Sequence, residues 1–317
     1  MRELKDETKL AALEHRIAAG EFGTLVSGVD DAIASFTAEL AHGYAYAAQR
    51  AAKVIDADII SSFRFDIAGD AAVEWMRRTA TQIADGLIHE QEQVAARVVR
   101  LGTQRGLTNR ELAEQVQASI GLNAGQVEQV ERYRVALEQG DYARALSYEL
   151  RDARYDAALE RQADLGGFMG EERIDAMVSR YRDNWIAERA DSIALGEAQN
   201  ASHAGVEEAF EQAVGSSKLA YADLTKTWIT RADKRVRTSH RTMHGQTRQF
   251  LEPFTSGAGV SLRYPGDEDA PGDETANCRC VSVVQLPGGR VGFVSEDDEV
   301  TIAKFELPPC ETFRREW

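Results

Sequence analysis

Apolar residues recur with helical spacing through the first two thirds of the chain. Between residues 174 and 185, five apolar positions fall at offsets of 0, 3, 4, 7 and 11, which is one face of an α-helix. These positions are Ile174, Met177, Val178, Tyr181 and Trp185. A shorter stretch has similar spacing and consists of Val127, Val130, Tyr133 and Leu137. We predict an amphipathic helix over each stretch.

The placement of proline extends the helical prediction to most of the chain. All six prolines lie beyond residue 252, and the preceding part is rich in Ala, Glu, Arg, Gln and Leu. Proline removes a backbone donor and clashes with the preceding helical turn. A long stretch that lacks it and is rich in good helix formers therefore predicts one helix after another.

Characteristic residues mark the ends of these helices. Thr108 and Glu111 have the spacing of a capping box, which predicts a helix start. That helix would carry Leu112, Val116 and Ile120 on its apolar side. Glycines punctuate the helical stretch, and the Gly166-Gly167 pair is its predicted boundary.

The last third of the chain has a different pattern. Residues 224–231 contain threonines, an isoleucine and a tryptophan, and residues 280–284 are similarly rich in β-branched side chains. Both segments predict short strands. Between them, Asp233 is positioned to cap a helix that runs to about His244 and ends at Gly245.

These elements predict a mainly α protein, in which an extended helical N-terminal region precedes a small α+β C-terminal domain. We predict the helical region over residues 1–165 and the α+β domain over residues 166–287. The remaining residues, 288–317, form an acidic tail.

Composition limits the class of function. The 317 residues include 37 Lys and Arg against 52 Asp and Glu, which gives a net charge of −15. This charge repels phosphate and argues against a protein that binds nucleic acid over most of its surface. No run of about 18 apolar residues occurs, and Met1–Leu10 lacks the apolar core of a secretory signal. Three cysteines are too few for a disulfide framework. We expect a soluble intracellular protein that folds in a reducing compartment and does not enter a membrane.

One segment is basic within this acidic chain. Residues 218–250 contain eight Lys or Arg and two Asp, a local net charge of +6. The candidate contacts to DNA phosphates are Arg231, Lys234, Arg235, Arg237, Arg241 and Arg248. Such a stripe can bind phosphates or an acidic protein surface. The alternative is a solvated helix face that the acidic loop at 267–274 neutralises.

Two histidines and two cysteines form a candidate metal site. His240 and His244 are four residues apart and therefore share a helix face. Cys278 and Cys280 would share a face in a regular strand. Imidazole and thiolate are ligands that suit tetrahedral zinc, which predicts a structural zinc ion as a possible cofactor. The alternative is a pair of buried thiols and a hydrogen-bonded histidine that pack the small domain.

Familiar catalytic templates are absent from the sequence. It contains no Gly-x-Ser-x-Gly, Walker loop, Gly-x-Gly-x-x-Gly after a strand, or His-Glu-x-x-His. Two other classes of function stay open. One is a metal-dependent hydrolase or nuclease that uses His240, His244 and the cysteines, and the other is a plain DNA-binding module in the same region.

Several short motifs occur in a fixed order. They are Lys226-x-Trp228, Asp233-x-x-Val236-Arg237-x-x-His240, Gly245, Tyr264-Pro265-Gly266-Asp267 and Asn277-Cys278-Arg279-Cys280. Upstream of them stand Arg189-Ala190-Asp191-x-Ile193-Ala194-x-x-Glu197, Asn200 and Gly205. In this order and spacing, about residues 170–285 resemble the Mu F-like phage head morphogenesis proteins, also called minor head proteins.

The resemblance implies a structural role in a virion. It implies a minor capsid protein, present in few copies, that associates with the portal protein at one vertex and helps head assembly or genome delivery. It brings no enzymatic activity. Further partners would be the scaffold or major capsid protein and packaged DNA, and the protein would be in the host cytoplasm during assembly. The residues expected to hold the C-terminal domain together are Trp228, Asp233, Gly245, Pro265 and Asn277.

Overall fold

The computed structural model describes residues 7–19, 29–58, 63–216, 219–286 and 290–292. In this part of the chain the helices are α1 (Glu7–Ala19), α2 (Val29–Asp58), α3 (Asp70–Gln104), α4 (Asn109–Ala118), α5 (Ala124–Glu138), α6 (Tyr142–Leu146), α7 (Asp156–Leu165), α8 (Glu171–Gly215), α9 (Thr238–Arg241) and α10 (Gly272–Thr275). The strands are β1 (Thr225–Ile229), β2 (Thr247–Gln249), β3 (Phe254–Thr255), β4 (Ser261–Leu262), β5 (Val281–Leu286) and β6 (Arg290–Gly292). The predicted fold class, mainly α with a small α+β C-terminal part, is confirmed. The predicted tail lies outside the described residues except for β6.

The apolar periodicity of the sequence corresponds to buried helix faces. Helix α8 contains the predicted stretch from Ile174 to Trp185, of which the first four apolar residues are buried and Trp185 is half-buried. Helix α5 buries Val127, Tyr133 and Leu137. Both amphipathic helices are therefore confirmed.

Two capping boxes start consecutive helices. At the start of α4, the Thr108 hydroxyl accepts a hydrogen bond from the Glu111 backbone N–H, and the Glu111 carboxylate accepts one from the Thr108 N–H at 2.7 Å. Asn123 and Gln126 make the equivalent pair at α5. Each box satisfies backbone donors that the first helical turn leaves unpaired.

The chain divides into two compact units. Of the described residues, those up to Ala32 and those from 82 to 191 form the helical unit, and those from 33 to 81 and from 192 to 292 form the sheet unit. The long helices α3 and α8 contribute residues to both units. The domain boundaries predicted after residues 165 and 287 remain a prediction.

Two apolar clusters pack the described part of the helical unit. In one, Tyr133 and Tyr181 pack with their ring centroids 4.5 Å apart, and Leu137 and Leu159 are fully buried beside them. The other is formed by α3, α4 and α5 around Val98.

The sheet unit is built on four antiparallel strands in the order β2-β1-β5-β6, with β3 and β4 as a separate hairpin. Strand β1 is internal and pairs Trp228 with Ser282 of β5. Helices α2 and α8 lie close together beside the sheet, because small residues line their contact. At Gly205 a Cβ atom would lie 2.3 Å from the Tyr44 carbonyl oxygen.

The strand predictions are confirmed by β1 and β5, but the helix predicted from Asp233 to His244 is wrong. Only the single turn of α9 forms there, and Asp233 does not cap it. Ala232 has a positive φ of 58°, and the Asp233 carboxylate accepts hydrogen bonds from the Arg235 backbone N–H and from Arg279. These hydrogen bonds hold the segment in a turn. The contact with Arg279 therefore replaces the helix that the local sequence predicts.

Among the described residues, no helix combines the length and the apolar character that crossing a membrane requires.

Candidate functional site

His240, Cys278 and Cys280 converge in the sheet unit. The Nδ1 atom of His240 lies 3.6 Å from the Sγ atom of each cysteine. The three side chains are almost completely buried, at 1%, 4% and 3% exposure. This His–Cys–Cys cluster therefore places three soft metal-binding atoms around one point, within 4.8 Å of one another.

Short backbone segments carry the cluster. His240 is on α9, and Cys278 and Cys280 precede β5. The Cys278 N–H donates to the Thr275 carbonyl, after Asn277 turns the chain with a positive φ of 56°. The Trp228 and His240 rings meet in a T-shaped contact, with the centroids 5.3 Å apart.

A carboxylate lies on the other side of the imidazole. Nε2 of His240 is 2.8 Å from Oε2 of Glu274, although its N–H is not aligned for a hydrogen bond. Ser239 donates to the same oxygen at 3.1 Å. Glu274 is buried on α10, the short helix that begins directly after Pro271. The predicted ligand set, which consists of His240, His244, Cys278 and Cys280, does not include it.

The cysteines share their protons unequally. The hydrogen bond from Cys280 lowers the pKa of the Cys278 thiol and His240 adds to this effect, while burial opposes it. The same pairing raises the pKa of Cys280, since a second thiolate would form beside the first, and burial adds to the rise. Cys278 therefore ionises more readily than an ordinary surface thiol, and Cys280 less readily.

His244 is not in the His–Cys–Cys cluster. Its Nδ1 atom accepts a hydrogen bond from the Thr230 backbone N–H at 3.1 Å, and burial lowers its pKa. The structure thus brings together three of the four predicted ligands and directs the fourth toward β1.

A small surface pocket reaches the cluster. Its lining includes His240, Cys278 and Cys280 together with Arg235, Arg237, Asn277 and Arg279. Arg279 forms an ion pair with Asp233 at 2.7 Å, and Arg237 donates to the Ala276 carbonyl. The opening is therefore rimmed by guanidinium groups.

The predicted DNA-contacting residues divide into two groups. Arg231, Lys234, Arg235 and Arg241 are exposed, while Arg237 and Arg248 are half-buried. Arg241 donates through Nε to the Val236 carbonyl at 3.1 Å, and Arg248 donates to the Thr247 carbonyl. The exposed group holds positive charge at the surface of the sheet unit.

The acidic loop has other partners. Asp267 and Asp269 form ion pairs with Arg263 at 2.5 and 2.7 Å, and Glu268 forms one with Arg78 at 2.8 Å. Burial opposes ionisation of Asp267, but the hydrogen bonds from Arg263 lower its pKa. These three carboxylates are thus engaged by arginines outside the basic segment.

The predicted structural residues occupy turns and the core. Trp228 is fully buried. Gly245 has a positive φ of 77° and donates its N–H to the Trp228 carbonyl at 2.8 Å. Pro265 and Gly266 form the centre of a turn that the Asp267 N–H closes on the Tyr264 carbonyl, and Gly266 has the positive φ of a type II turn. Asn277 accepts a hydrogen bond from Ser192 of α8.

The sequence did not reveal a buried ion pair beneath the sheet. Lys226 is 1% exposed and donates to Glu207 at 3.0 Å and to the Arg263 carbonyl at 2.8 Å. Its ammonium also lies over the rings of Phe250 and Phe254. Burial raises the pKa of Glu207 to about 7, although the charge of Lys226 opposes the rise.

Comparisons with known proteins bear on this region. No curated protein and no solved structure matched the chain. Residues 130–283 match the family model described as phage Mu protein F like protein. The match includes β1, α9 and the His–Cys–Cys cluster, together with the whole of α8. Over these residues the chain is similar to the phage Mu protein F-like proteins, which supports the resemblance to a phage head morphogenesis family.

Proposed function

We propose that this chain is a minor capsid protein of a tailed bacteriophage that associates with the portal protein during head assembly or genome delivery. The observation that carries the proposal is the family match over residues 130–283. In this proposal the protein is a virion component at the portal vertex, present in few copies, and is in the host cytoplasm while heads assemble.

The charge distribution supports two kinds of contact. Most of the chain is acidic, with a net charge of −15, and is repelled by DNA phosphates. The segment 218–250 is basic and exposes Arg231, Lys234, Arg235 and Arg241. We propose that this segment contacts packaged DNA, while helix faces bind the portal protein and either the scaffold or the major capsid protein.

A structural role is favoured over an enzymatic one. His240, Cys278 and Cys280 are buried in the core of the sheet unit. The Glu274 carboxylate, the nearest candidate for a general base, contacts His240 and Ser239. The proposal assigns these groups no catalytic step.

Two measurements test the portal proposal, namely the protein composition of purified virions and co-assembly with the portal protein. We expect quantitative mass spectrometry of purified virions to find the chain in fewer copies than the major capsid protein. Co-expressed with the portal protein of the same phage, it is expected to co-elute with the portal oligomer. The portal protein of an unrelated phage is the control and is expected to elute alone.

A chain that is abundant in infected cells but missing from particles and precursor heads would contradict the proposal. A nuclease would behave differently. It would cleave DNA in a purified assay, and His240→Ala would abolish the cleavage.

A further inference from the structure

We propose that the His–Cys–Cys cluster is a zinc site with three protein ligands, Nδ1 of His240 and the two Sγ atoms of Cys278 and Cys280. Its fourth coordination position opens to the arginine-rimmed pocket and takes an exchangeable water or small anion. This inference is independent of the portal proposal, since a head protein can fulfil that role with or without a metal.

The distances fit a tetrahedral ion. Zinc lies about 2.0 Å from imidazole nitrogen and about 2.3 Å from thiolate sulfur, so tetrahedral angles separate the nitrogen from each sulfur by about 3.5 Å. Nδ1 of His240 is 3.6 Å from Sγ of Cys278 and 3.6 Å from Sγ of Cys280. Both nitrogen–sulfur separations thus match those around a zinc ion, and the two sulfurs lie within 4.8 Å of each other.

The surroundings orient the imidazole as a ligand. With Nδ1 directed at the sulfurs, Nε2 carries the proton and faces the Glu274 carboxylate at 2.8 Å. Ser239 in turn donates to Glu274. A carboxylate behind the imidazole is the usual arrangement at zinc sites, where it fixes the tautomer and strengthens the ligand. Nε2 is buried without a well-aligned partner, which a small rotation of the ring on metal binding would correct.

The alternative is a site that only packs the core. Apolar packing is provided by Trp228, Met243, Phe254 and Leu262, which enclose the cluster. Hydrogen bonds between the thiols and Nδ1 of His240 also give the 3.6 Å separations. A zinc ion accounts in addition for the carboxylate behind the imidazole, and it gains three ligands from a frame that is already folded around them.

The charge of the pocket determines which fourth ligand is favoured. Its rim carries Arg235, Arg237 and Arg279, one of which is paired with Asp233. Two thiolates neutralise a zinc ion, so the arginines leave this opening positive and favour an anion. His244 points its Nδ1 atom at Thr230 and is not proposed as the fourth ligand.

The first test measures the metal itself. The full-length chain, stripped with a chelator and reloaded with zinc, is expected to retain about one zinc ion per chain by mass spectrometry after desalting. Cobalt in place of zinc is expected to give thiolate-to-cobalt charge-transfer absorption together with the intense visible bands of a tetrahedral ion. Wild-type chain that retains no metal and lacks these bands overturns the proposal without any variant.

Variants assign the ligands. Cys278→Ser, Cys280→Ser and His240→Ala are expected to lose the cobalt spectrum. Glu274→Gln is expected to keep it with about 10- to 100-fold weaker zinc affinity in a competition titration, because a neutral amide holds the imidazole less strongly than the carboxylate does. His244→Ala is the matched control and is expected to bind as the wild type does, because the Nδ1 atom of His244 contacts Thr230 and not the cluster. Equal loss of the cobalt spectrum in His244→Ala and His240→Ala contradicts the three-ligand set.

The open position has a separate readout. Azide, or inorganic phosphate, added to the cobalt-loaded wild-type chain is expected to shift the visible bands, and Arg235→Ala combined with Arg237→Ala is expected to weaken the anion affinity. A spectrum that neither anion changes would show that the fourth ligand comes from the chain and would overturn this part of the proposal.

Discussion

Single residues determine how closely the backbones of the sheet unit approach each other. Gly205 faces the carbonyl of Tyr44 on α2, where a Cβ atom would lie 2.3 Å from oxygen. Gly196 lies on the same helix, and a Cβ atom there would meet nothing within 4 Å. The two glycines thus have opposite requirements although they are nine residues apart in one helix.

We expect Gly205→Ala to lower the free energy of unfolding by about 3 kcal/mol, because backbone atoms must move to admit the methyl group. Gly196→Ala is the control and is expected to raise it by about 1 kcal/mol through helix propensity. Urea denaturation measures both. Equal effects of the two substitutions would show that α2 and α8 do not pack as closely as described.

The buried ion pair of Lys226 and Glu207 gives a pH-dependent contribution to stability. Burial raises the pKa of Glu207 from 4.5 to about 7, opposed by Lys226. The folded chain therefore holds this proton more tightly than the unfolded chain. The stabilisation is complete below the unfolded value and is lost as the pH rises from 4.5 to about 7.

Glu207→Gln removes this titration. We expect the stability of the variant, relative to the wild type, to rise by up to about 3 kcal/mol between these two pH values. The change in the free energy of unfolding with pH is compared, because loss of the ion pair shifts the free energy of the variant by the same amount at every pH. Denaturation at a series of pH values measures it, and parallel profiles would contradict the raised pKa.

At the scale of elements, periodicity predicted the long helices well. The apolar face of α8 and the capping box of α4 depend on residues three or four apart, and such patterns are visible in the sequence. The segment 232–244 was predicted less well. Its structure depends on the pairing of Asp233 with Arg279, a residue 46 positions away.

The capping box of α4 gives a prediction for one element. Thr108→Ala is expected to lower the free energy of unfolding by about 1 kcal/mol, because the Glu111 backbone N–H loses its acceptor. Thr103→Ala, at an exposed position near the end of α3, is the control and is expected to change stability by less than about 0.5 kcal/mol. Thermal unfolding followed by circular dichroism compares them. A Thr108→Ala variant as stable as the control would contradict the assigned role.

For the whole molecule, the net charge of −15 and the local charge of +6 have opposite effects on DNA binding. If the basic segment contacts DNA, binding will be weak and will decrease steeply with salt. Replacing Arg231, Lys234 and Arg235 by Ala is expected to reduce the slope of log affinity against log salt by about 3 at most.

A second triple variant controls for the change in net charge. It replaces the exposed residues Arg132, Arg161 and Arg173 of the helical unit by Ala. Fluorescence anisotropy with a DNA duplex measures both variants. The same salt slope for the two would contradict a localised DNA contact.

The sequence by itself determined the helical character, the positions of β1 and β5 and the similarity to the phage Mu protein F-like proteins, because these depend on local spacing and on short motifs. Only the tertiary structure decided which candidate ligands meet. His240 and Cys278 are 38 residues apart, and their contact depends on how α9 and the segment before β5 pack around Trp228. Glu274 and Glu207 acquired their roles in the same way, since burial and the pairing of distant charges arise only when the chain folds.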